Sequence, residues 1–170
     1  IVCASSRGLG RGCAMSLAQN GVNVVINGRD EAVTTATADE IRAASDVDVT
    51  PVIADVSTKE GQAALLAACP QPDILVNNNG GPPFRDFREL TREDMLAGVT
   101  MNFATPIELV QAVIDPMVAQ GFGRIVNITS VSVMKPVFGL DLSSGARAGL
   151  TAFLAGVARS VAKNKVTINH

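Results

Sequence analysis

The sequence has 170 residues, of which 47% are hydrophobic and 18% charged, and its formal net charge is −2 at pH 7. A chain of this size and composition can bury a sizeable core, so we expect one domain over residues 1–170. Lysines and arginines are scattered rather than clustered, which argues against a nucleic-acid surface. No apolar run approaches the roughly 18 residues of a membrane span. We therefore expect neither nucleic acid nor a membrane as a partner.

Cysteine, histidine and tyrosine content narrows the possible chemistry. The three cysteines lack metal-like spacing and are typical of thiols in a reducing compartment, so we expect a cytoplasmic protein. The only histidine is His170, the last residue. A histidine metal cluster is thereby excluded, and a Ser-His-Asp triad is left only if His170 serves it. The sequence contains no tyrosine.

Strands and helices are predicted to alternate along the chain. From the N-terminus, the prediction is strand 1–3, helix 13–18, strand 22–27, helix 30–44, strand 48–54, helix 57–69, strand 73–77, helix 91–120 with interruptions, strand 124–129, helix 141–163 and strand 166–169. This alternation indicates a doubly wound parallel sheet with helices on both faces, in three α/β/α layers.

Local signals refine several of these elements. Pro51 argues for an outer position of its strand. Ser57 and Glu60 have the spacing of a capping box, and Thr91 is predicted to cap the next helix. The last long helix has apolar residues at three- and four-residue steps, which predicts a buried stripe of Leu150, Phe153, Leu154, Val157 and Val161.

A glycine-rich stretch at residues 4–12 separates the first strand from the first helix. A strand, a tight glycine turn and a helix N-terminus direct several backbone N–H groups at one point, where the helix dipole favours negative charge. The stretch therefore predicts a phosphate site, with an ordinary turn as the alternative. Its spacing departs from Gly-x-Gly-x-x-Gly because Cys13 stands at the last glycine position.

Polar residues follow five of the predicted strands. They are residues 5–7, 27–29, 55–56, 77–80 and 129–130. Ligands of open parallel sheets bind beyond the carboxyl ends of the strands. Five polar strand ends along one edge therefore favour a functional cleft over a set of solvated loops.

These motifs together resemble the short-chain dehydrogenase/reductase family, particularly its 3-oxoacyl-carrier-protein reductases, over nearly all of the chain. Residues 4–10 match the family's Gly-x-x-x-Gly-x-Gly cofactor loop, with Ala4 in place of the first glycine. Asp55 and Val56 match the acidic site that contacts adenine, and residues 77–80 match the Asn-Asn-Ala-Gly motif. Asn102 and Ser130 match the catalytic asparagine and serine.

The resemblance implies a Rossmann-like fold that binds a nicotinamide cofactor. The implied cofactor-binding residues are Ala4, Ser6, Arg7, Gly8, Leu9, Gly10, Asn27, Arg29, Asp55, Val56, Asn78, Asn79, Gly80 and Arg147. An acidic residue after the second strand would favour NAD. Here that end is Asn27-Gly28-Arg29, and with Arg7 it offers two guanidinium groups to a 2′-phosphate. We therefore expect NADP rather than NAD, with solvated surface arginines as the alternative.

The family's catalytic Tyr and Lys are replaced. In the register set by Ser130, Ser143 stands at the Tyr position and Arg147 at the Lys position. A phenol with a pKa of about 10 can be tuned to donate a proton, whereas an aliphatic hydroxyl is a poor acid. Ser143 can still hydrogen-bond a carbonyl, and Arg147 can bind the ribose that the family's Lys binds. The predicted catalytic set is Asn102, Ser130, Ser143 and Arg147.

Three functions remain open at this stage. The first is a reductase of a carbonyl substrate that uses Ser130, Arg147 and a water, or another acid such as Lys135. The second is a nucleotide-binding sensor or partner subunit without activity. The third is a non-redox reaction of a carbonyl substrate, with Arg147 as an oxyanion stabiliser.

The family resemblance also carries expectations about size and assembly. Family members continue past the sixth strand, so we expect the fold to be truncated at its C-terminal end. The helices at 91–120 and 141–163 form the family's subunit interface, which implies a homodimer or homotetramer. Phe84, Phe87 and Phe138 are candidates for the mouth of the substrate pocket, with buried packing as the alternative.

Overall fold

The computed structural model describes all 170 residues. The chain is organised as two compact units, Ile1–Asn78 and Asn79–His170. Each unit is described separately below. The expectation of a single domain over 1–170 stays a prediction.

The first unit contains three helices and three strands. They are α1 (Gly8–Gln19), β1 (Val24–Gly28), α2 (Glu31–Ala43), β2 (Val49–Ile53), α3 (Lys59–Ala68) and β3 (Ile74–Asn77). β1 and β2 pair in parallel. The predicted strand 1–3 is present only as isolated parallel bridges from Val2 to Ile26 of β1 and Val76 of β3. β2 thus pairs with β1 alone in this unit, which agrees with the outer position that Pro51 predicts.

Burial explains why β1 forms a central strand. All five of its residues are buried, and Ile26 is fully inaccessible. A strand that is buried on both faces is expected to be a continuous run of β-branched residues, and Val24, Val25 and Ile26 form such a run. The helices of the unit pack against this strand and its neighbours.

Two predictions at helix starts are wrong. The first helix begins at Gly8 rather than Cys13, so the helix includes most of the glycine stretch. The predicted capping box of Ser57 and Glu60 does not form, because Thr58 is the N-cap of α3 and accepts from the N–H of Gly61. Ser57 is used elsewhere: its N–H and hydroxyl both donate to Asp55 Oδ1, at 2.9 and 2.6 Å.

The second unit is mainly helical, with two parallel strands. Its elements are α4 (Arg92–Val99), a π-helical turn (Thr100–Ala104), α5 (Thr105–Gln120), β4 (Gly123–Asn127), α6 (Asp141–Val161) and β5 (Val166–Asn169). Short 3₁₀ turns cover Phe87–Glu89, Val131–Val133 and Ala162–Asn164. β4 and β5 pair from Gly123↔Val166 to Val126↔Asn169.

Caps and apolar stripes position the helices of the second unit. Thr91 and Asp94 form the reciprocal capping box of α4, which confirms the predicted helix start. The buried face of α6 includes Leu150, Leu154 and Val161, as its spacing predicts. Val157 is only half-buried. Phe153 is 49% exposed and meets Phe103 edge-to-face with ring centroids 6.0 Å apart.

One helical segment satisfies the length and composition of a membrane span. It is the continuous run Arg92–Gln120, whose most apolar window has a mean hydropathy of 1.2 and is 44% buried. A buried core helix of a soluble protein satisfies the same criteria, so a single such segment is weak evidence. The expectations that no membrane is a partner and that the protein is cytoplasmic stay predictions.

Candidate functional site

The turn at residues 4–8 keeps the backbone conformation of a glycine loop although it begins with alanine. Ala4 has φ 44° and Gly8 has φ 59°, both in the left-handed region. An L-residue with a side chain seldom adopts this region, because its Cβ crowds the following carbonyl. The alanine therefore fulfils the conformational role that a glycine has at this position of the motif.

The turn leads into a helix end that no side chain caps. Arg7 is the N-cap of α1, and its side chain makes no capping hydrogen bond. A Cβ added at Gly10 would stand 2.5 Å from the Ala4 carbonyl oxygen and 2.7 Å from Asn78 Nδ2, so this position has no room for a side chain. An uncapped helix N-terminus with close backbone approach fits the phosphate groups of a dinucleotide.

Two amide side chains, the buried Asn27 and the half-buried Asn78, form hydrogen bonds around this turn. Asn27 accepts from the N–H of Ala4 at 3.2 Å and donates to the carbonyls of Val52 and Ala54 at 3.1 and 3.0 Å. Asn78 Nδ2 donates to the Ala4 carbonyl at 3.0 Å. These bonds engage both atoms of the Asn27 amide, so Asn27 supports the predicted cofactor loop through Ala4.

The two arginines predicted to bind a 2′-phosphate are both exposed. The Arg29 side chain is 81% exposed, and its Nη1 lies 3.7 Å from Asp55 Oδ2. The Ser57 hydroxyl and N–H donate to Asp55 and, with Arg29 contributing less, hold the pKa of that carboxyl below its usual value. Arg7 is exposed and has no ion-pair partner. Leu9 is also exposed, whereas Val56 is buried.

In the second unit, residues 79–80 are attached to the π-helical turn. Asn79 Nδ2 donates to the Met101 carbonyl at 3.2 Å, and Asn102 Nδ2 donates to the Gly80 carbonyl at 3.3 Å. Asn102 is only 4% exposed. The extra residue of a π turn breaks the regular helical hydrogen bonding at this point, a feature frequent at functional sites. The structure thus brings together three of the predicted site residues.

Ser130 follows β4 and begins a 3₁₀ turn. Its Oγ accepts two hydrogen bonds from Ser132, one from the backbone N–H at 3.2 Å and one from the hydroxyl at 2.8 Å. Ser132 is buried, whereas Ser130 is half-buried. The sequence prediction includes Ser130 and misses Ser132, whose only signal was its position two residues further along the same turn.

Ser143 and Arg147 lie one turn apart on α6 and form a buried pair. Arg147 Nε donates to Ser143 Oγ at 3.2 Å, and Arg147 Nη1 donates to the Ile128 carbonyl at 2.7 Å. Ser143 is 5% and Arg147 8% exposed. The second bond connects α6 to the chain two residues before Ser130. The two residues predicted to replace Tyr and Lys are therefore in direct contact.

No carboxylate compensates the charge of Arg147. The five ion pairs of the structure involve Arg11, Arg29, Arg42, Arg85 and Arg88. Burial lowers the pKa of the Arg147 guanidinium, because removal from water penalises the charged form. Arginine nevertheless stays protonated in proteins. The pair is thus a buried site of fixed positive charge with a hydroxyl beside it.

Other candidates from the sequence have different surroundings. Lys135 is exposed in the loop after Ser130 and makes no ion pair. Phe84, Phe87 and Phe138 are 65, 60 and 72% exposed, so buried packing does not account for them. Phe84 and Phe138 meet edge-to-face with centroids 6.3 Å apart. No group of three His, Cys, Asp or Glu side chains is placed to hold a metal ion.

Comparison with known proteins decides the family. The sequence profile described as short chain dehydrogenase matches residues 1–170. The chain belongs to the short-chain dehydrogenase family. It is 38% identical over 113 residues to an acetoacetyl-CoA reductase of Cupriavidus necator, covering 66% of this chain and 46% of that protein. It is 32% identical over 176 residues to a 3-oxoacyl-[acyl-carrier-protein] reductase of Synechocystis, covering 99% of this chain and 70% of that protein.

The structure agrees with that family. A metagenomic short-chain oxidoreductase in complex with NADP superimposes with a TM-score of 0.89 at 28% identity, covering 98% of this chain and 77% of that one. This confirms the Rossmann-like fold with parallel strands and flanking helices. The chain spans about half to three quarters of the length of the proteins it matches here.

This short-chain dehydrogenase is an atypical, 3-oxoacyl-carrier-protein reductase-like member. Its family binds a nicotinamide cofactor and reduces or oxidises carbonyl and hydroxyl groups of small molecules. The chain lacks the Tyr-x-x-x-Lys motif, because it contains no tyrosine and Arg147 stands where the lysine is expected. This chain therefore differs from its family at the two positions, Ser143 and Arg147, where the proton-donating Tyr and its Lys are expected.

Proposed function

We propose that this protein is an NADP-dependent carbonyl reductase in which Ser143 and Arg147 replace the Tyr and Lys of its family. The observation that carries the proposal is the buried Arg147 guanidinium, which has no carboxylate partner and donates to Ser143 Oγ. Keeping an uncompensated charge out of water costs several kcal/mol. Such a cost is typical of a site that needs the charge for its chemistry.

The proposed reaction adds a hydride to a carbonyl carbon. The nicotinamide of a bound cofactor would supply the hydride, and the carbonyl oxygen would become an alkoxide. Ser143 donates its hydrogen bond to that oxygen, and the Arg147 charge stabilises the developing negative charge from behind the hydroxyl. A water molecule then protonates the alkoxide, and the hydroxide that forms is neutralised by solvent. Asn102 and Ser130 position the water and the carbonyl.

The proposed substrates are 3-oxoacyl thioesters. Two of the similar proteins are an acetoacetyl-CoA reductase and a 3-oxoacyl-[acyl-carrier-protein] reductase, and both names describe a β-keto thioester. A β-keto thioester suits a site without a strong acid, because its electron-withdrawing thioester makes the ketone easier to reduce. Small ketones without this activation are expected to react more slowly.

The preference for NADP is proposed from Arg7 and Arg29. Both side chains are exposed; Arg7 is the N-cap of α1, and Arg29 directly follows β1. The alternative cofactor, NAD, usually has an acidic partner for its ribose, and Asn27, Gly28 and Arg29 provide none there. A charge-assisted hydrogen bond to phosphate contributes about 1.5–3 kcal/mol, equivalent to roughly a tenfold or larger change in affinity.

The test begins with a titration of NADPH into the full chain, followed by its oxidation with acetoacetyl-CoA and longer β-ketoacyl thioesters. We expect binding and turnover. Ser143→Ala is expected to lower kcat roughly 100-fold, the usual effect of losing one oxyanion donor. Ser144→Ala is the matched control, because Ser144 donates its hydroxyl to the Leu140 carbonyl instead. Equal activity of the two variants would contradict the role of Ser143.

The same titration separates the proposal from its alternatives. Binding of NADPH without turnover of any thioester would indicate a nucleotide-binding sensor or partner subunit. Conversion of a thioester without oxidation of NADPH would indicate non-redox carbonyl chemistry. In the double variant Ser143→Tyr, Arg147→Lys, a large gain in reductase activity would show that the native pair lacks the proton-donating function.

The cofactor preference has its own measurement. In Arg29→Ala, the ratio of the NADPH and NADH dissociation constants is expected to move about tenfold toward NADH. Arg42→Ala is the control, because Arg42 pairs with Asp39 on the surface of α2. An unchanged ratio in Arg29→Ala and Arg7→Ala would refute the assignment of the 2′-phosphate to these residues.

A further inference from the structure

The hydroxyl pair of Ser130 and Ser132 is a polar contact that the proposed reaction does not yet use. Ser132 Oγ lies 2.8 Å from Ser130 Oγ, and the backbone N–H of Ser132 lies 3.2 Å from the same oxygen. Ser132 is only 4% exposed, so water does not readily satisfy its hydroxyl. The burial of Ser132 therefore determines which of the two hydroxyls donates the hydrogen bond.

Burial favours Ser132 as the donor of the hydroxyl–hydroxyl bond. Ser130 Oγ is the only hydrogen-bond partner of the Ser132 hydroxyl. If Ser130 donated to Ser132, the buried Ser132 proton would have no acceptor, and a buried donor without a partner is destabilising. If Ser132 donates, its proton is satisfied, and Ser130, which is only half-buried, can still give its proton to water or a ligand.

The consequence concerns the proton of Ser130. A serine oxygen has two lone pairs and one proton. The N–H and O–H of Ser132 occupy both lone pairs of Ser130 Oγ. Ser130 can then interact with a further group only by donating its proton. A carbonyl oxygen, which accepts and does not donate, is the group that such a hydroxyl binds.

We propose that Ser132 is a positioning residue that fixes the Ser130 hydroxyl as a hydrogen-bond donor to the substrate carbonyl; the inference rests on the proposed carbonyl reduction. Ser143 is held in a related but looser way, because its oxygen accepts one hydrogen bond, from Arg147 Nε at 3.2 Å. In both places a protein donor binds the serine oxygen and the hydroxyl proton stays available to a ligand, but only at Ser130 are both lone pairs occupied. The carbonyl would then accept from two serine hydroxyls, with Ser143 in place of the family's phenol.

The donor direction is testable in the free protein by proton NMR. A slowly exchanging hydroxyl proton with cross-peaks to both serine β-protons is expected, assigned to Ser132. It should disappear in Ser132→Ala and reappear in Ser132→Thr, which restores a hydroxyl. Backbone amide shifts outside residues 128–134 verify that each variant is folded. A slow proton that belongs to Ser130 and persists in Ser132→Ala, or no slow Ser132 proton in the wild type, overturns the proposal.

The effect on a carbonyl is testable by infrared spectroscopy, independently of turnover. The probe is acetoacetyl-CoA labelled with ¹³C at its ketone carbon and bound with NADP⁺, which cannot reduce it. We expect the ketone stretch to move to lower frequency on binding, to move less in Ser132→Ala, and to recover in Ser132→Thr. Ser160→Ala, which removes an exposed hydroxyl bonded to Val157, is the control and should behave as wild type.

Kinetics with NADPH complete the test. Ser132→Ala is expected to lower kcat about tenfold with little change in KM, because the ketone still binds but is less polarised. Ser132→Thr should restore most of the loss. A ketone stretch that shifts in the wild type and shifts less in Ser132→Ala, without any oxidation of NADPH, would refute the proposed function while supporting the role of Ser132. A stretch and a kcat that are unchanged in Ser132→Ala would refute the role of Ser132.

Discussion

Arg147 has a buried guanidinium without a carboxylate partner, whereas five other arginines of the chain form ion pairs. Its two hydrogen bonds, to Ser143 Oγ and the Ile128 carbonyl, satisfy some donors but leave the charge uncompensated. Hydrogen bonds to neutral oxygens recover only part of the hydration energy of a cation. We therefore expect function and stability to conflict at this residue.

Arg147→Met tests that conflict. We expect kcat/KM to fall roughly 100-fold, because an electrostatic stabiliser is lost. The free energy of unfolding is expected to rise by about 1 kcal/mol, because removal of the buried charge outweighs the loss of two hydrogen bonds. Urea unfolding monitored by circular dichroism measures the second effect.

Arg124→Met is the control for this substitution. Arg124 also donates to two backbone carbonyls, those of Gly123 and Lys165, but lies at a half-buried surface position. It should lose stability and keep its activity. A clear loss of stability in Arg147→Met would show that the Arg147 charge is not penalised by its surroundings.

A second prediction at the residue scale concerns how much stability the Asp55 carboxylate contributes as the pH changes. Ser57 and, to a lesser degree, Arg29 hold the pKa of its carboxyl below the usual value. The carboxylate therefore contributes stability above its unfolded pKa of about 3.9, and this contribution is lost as the pH falls through the lower folded pKa. The side chain is 40% exposed, so solvent screens the contribution to below about 1 kcal/mol.

Acid titration of stability measures the Asp55 contribution. Between pH 5 and pH 2, roughly the window set by a lowered carboxyl pKa, wild type should lose more stability than Asp55→Asn. The two proteins should differ most near neutral pH and converge in acid. Parallel stability curves for the two proteins would contradict the hydrogen-bonded carboxylate.

At the scale of elements, the start of α1 shows how a helix can include glycines without losing its position. Glycine disfavours helix by about 1 kcal/mol relative to alanine, which is why the sequence pattern suggests a later start. Gly10 is needed because its Cα approaches the Ala4 carbonyl and Asn78 too closely for a Cβ. Tertiary contact therefore overrides propensity at this helix end.

Gly10→Ala and Gly12→Ala separate these two effects in one helix. A Cβ at Gly10 would meet the Ala4 carbonyl oxygen at 2.5 Å, so we expect a loss of about 2 kcal/mol and weaker NADPH binding. A Cβ at Gly12 meets nothing within 4 Å, so its variant should gain up to about 1 kcal/mol and bind normally. Urea unfolding and NADPH titration give both quantities. Similar behaviour of the two variants would contradict the close approach at Gly10.

At the scale of the whole molecule, the question is whether the two compact units unfold together or separately. One unit ends at Asn78 and the other begins at Asn79, whereas the profile matches residues 1–170 without interruption. The prediction of a single domain requires both units to unfold in one transition. Each unit contains a reporter that is inaccessible in the folded state, Cys3 in the first and Leu154 in the second.

Thiol labelling and amide exchange measure this cooperativity. Cys3 is 1% exposed, and burial raises the pKa of its thiol to about 12, so the folded protein should react at no more than two of its three thiols. We expect labelling of Cys3 and hydrogen exchange at the Leu154 amide to give the same free energy of opening. Different values would show that the two units unfold separately.

Apart from strand 1–3, which forms only isolated bridges, the order of strands and helices and their parallel pairing follow from the amino-acid sequence, because hydrophobic period and turn residues are local properties of the chain. The absence of the Tyr-x-x-x-Lys motif follows from the absence of tyrosine, and the family resemblance, with Ser130 as its reference, places Ser143 and Arg147 at those two positions. Only the tertiary structure shows three further features. The Arg147 guanidinium is buried without a carboxylate partner and donates to Ser143 Oγ. Ser132 forms a hydrogen bond with Ser130 Oγ, and α1 begins at Gly8. Burial and hydrogen-bond direction depend on which atoms from distant parts of the chain pack nearby, and residue spacing in the sequence does not predict these contacts.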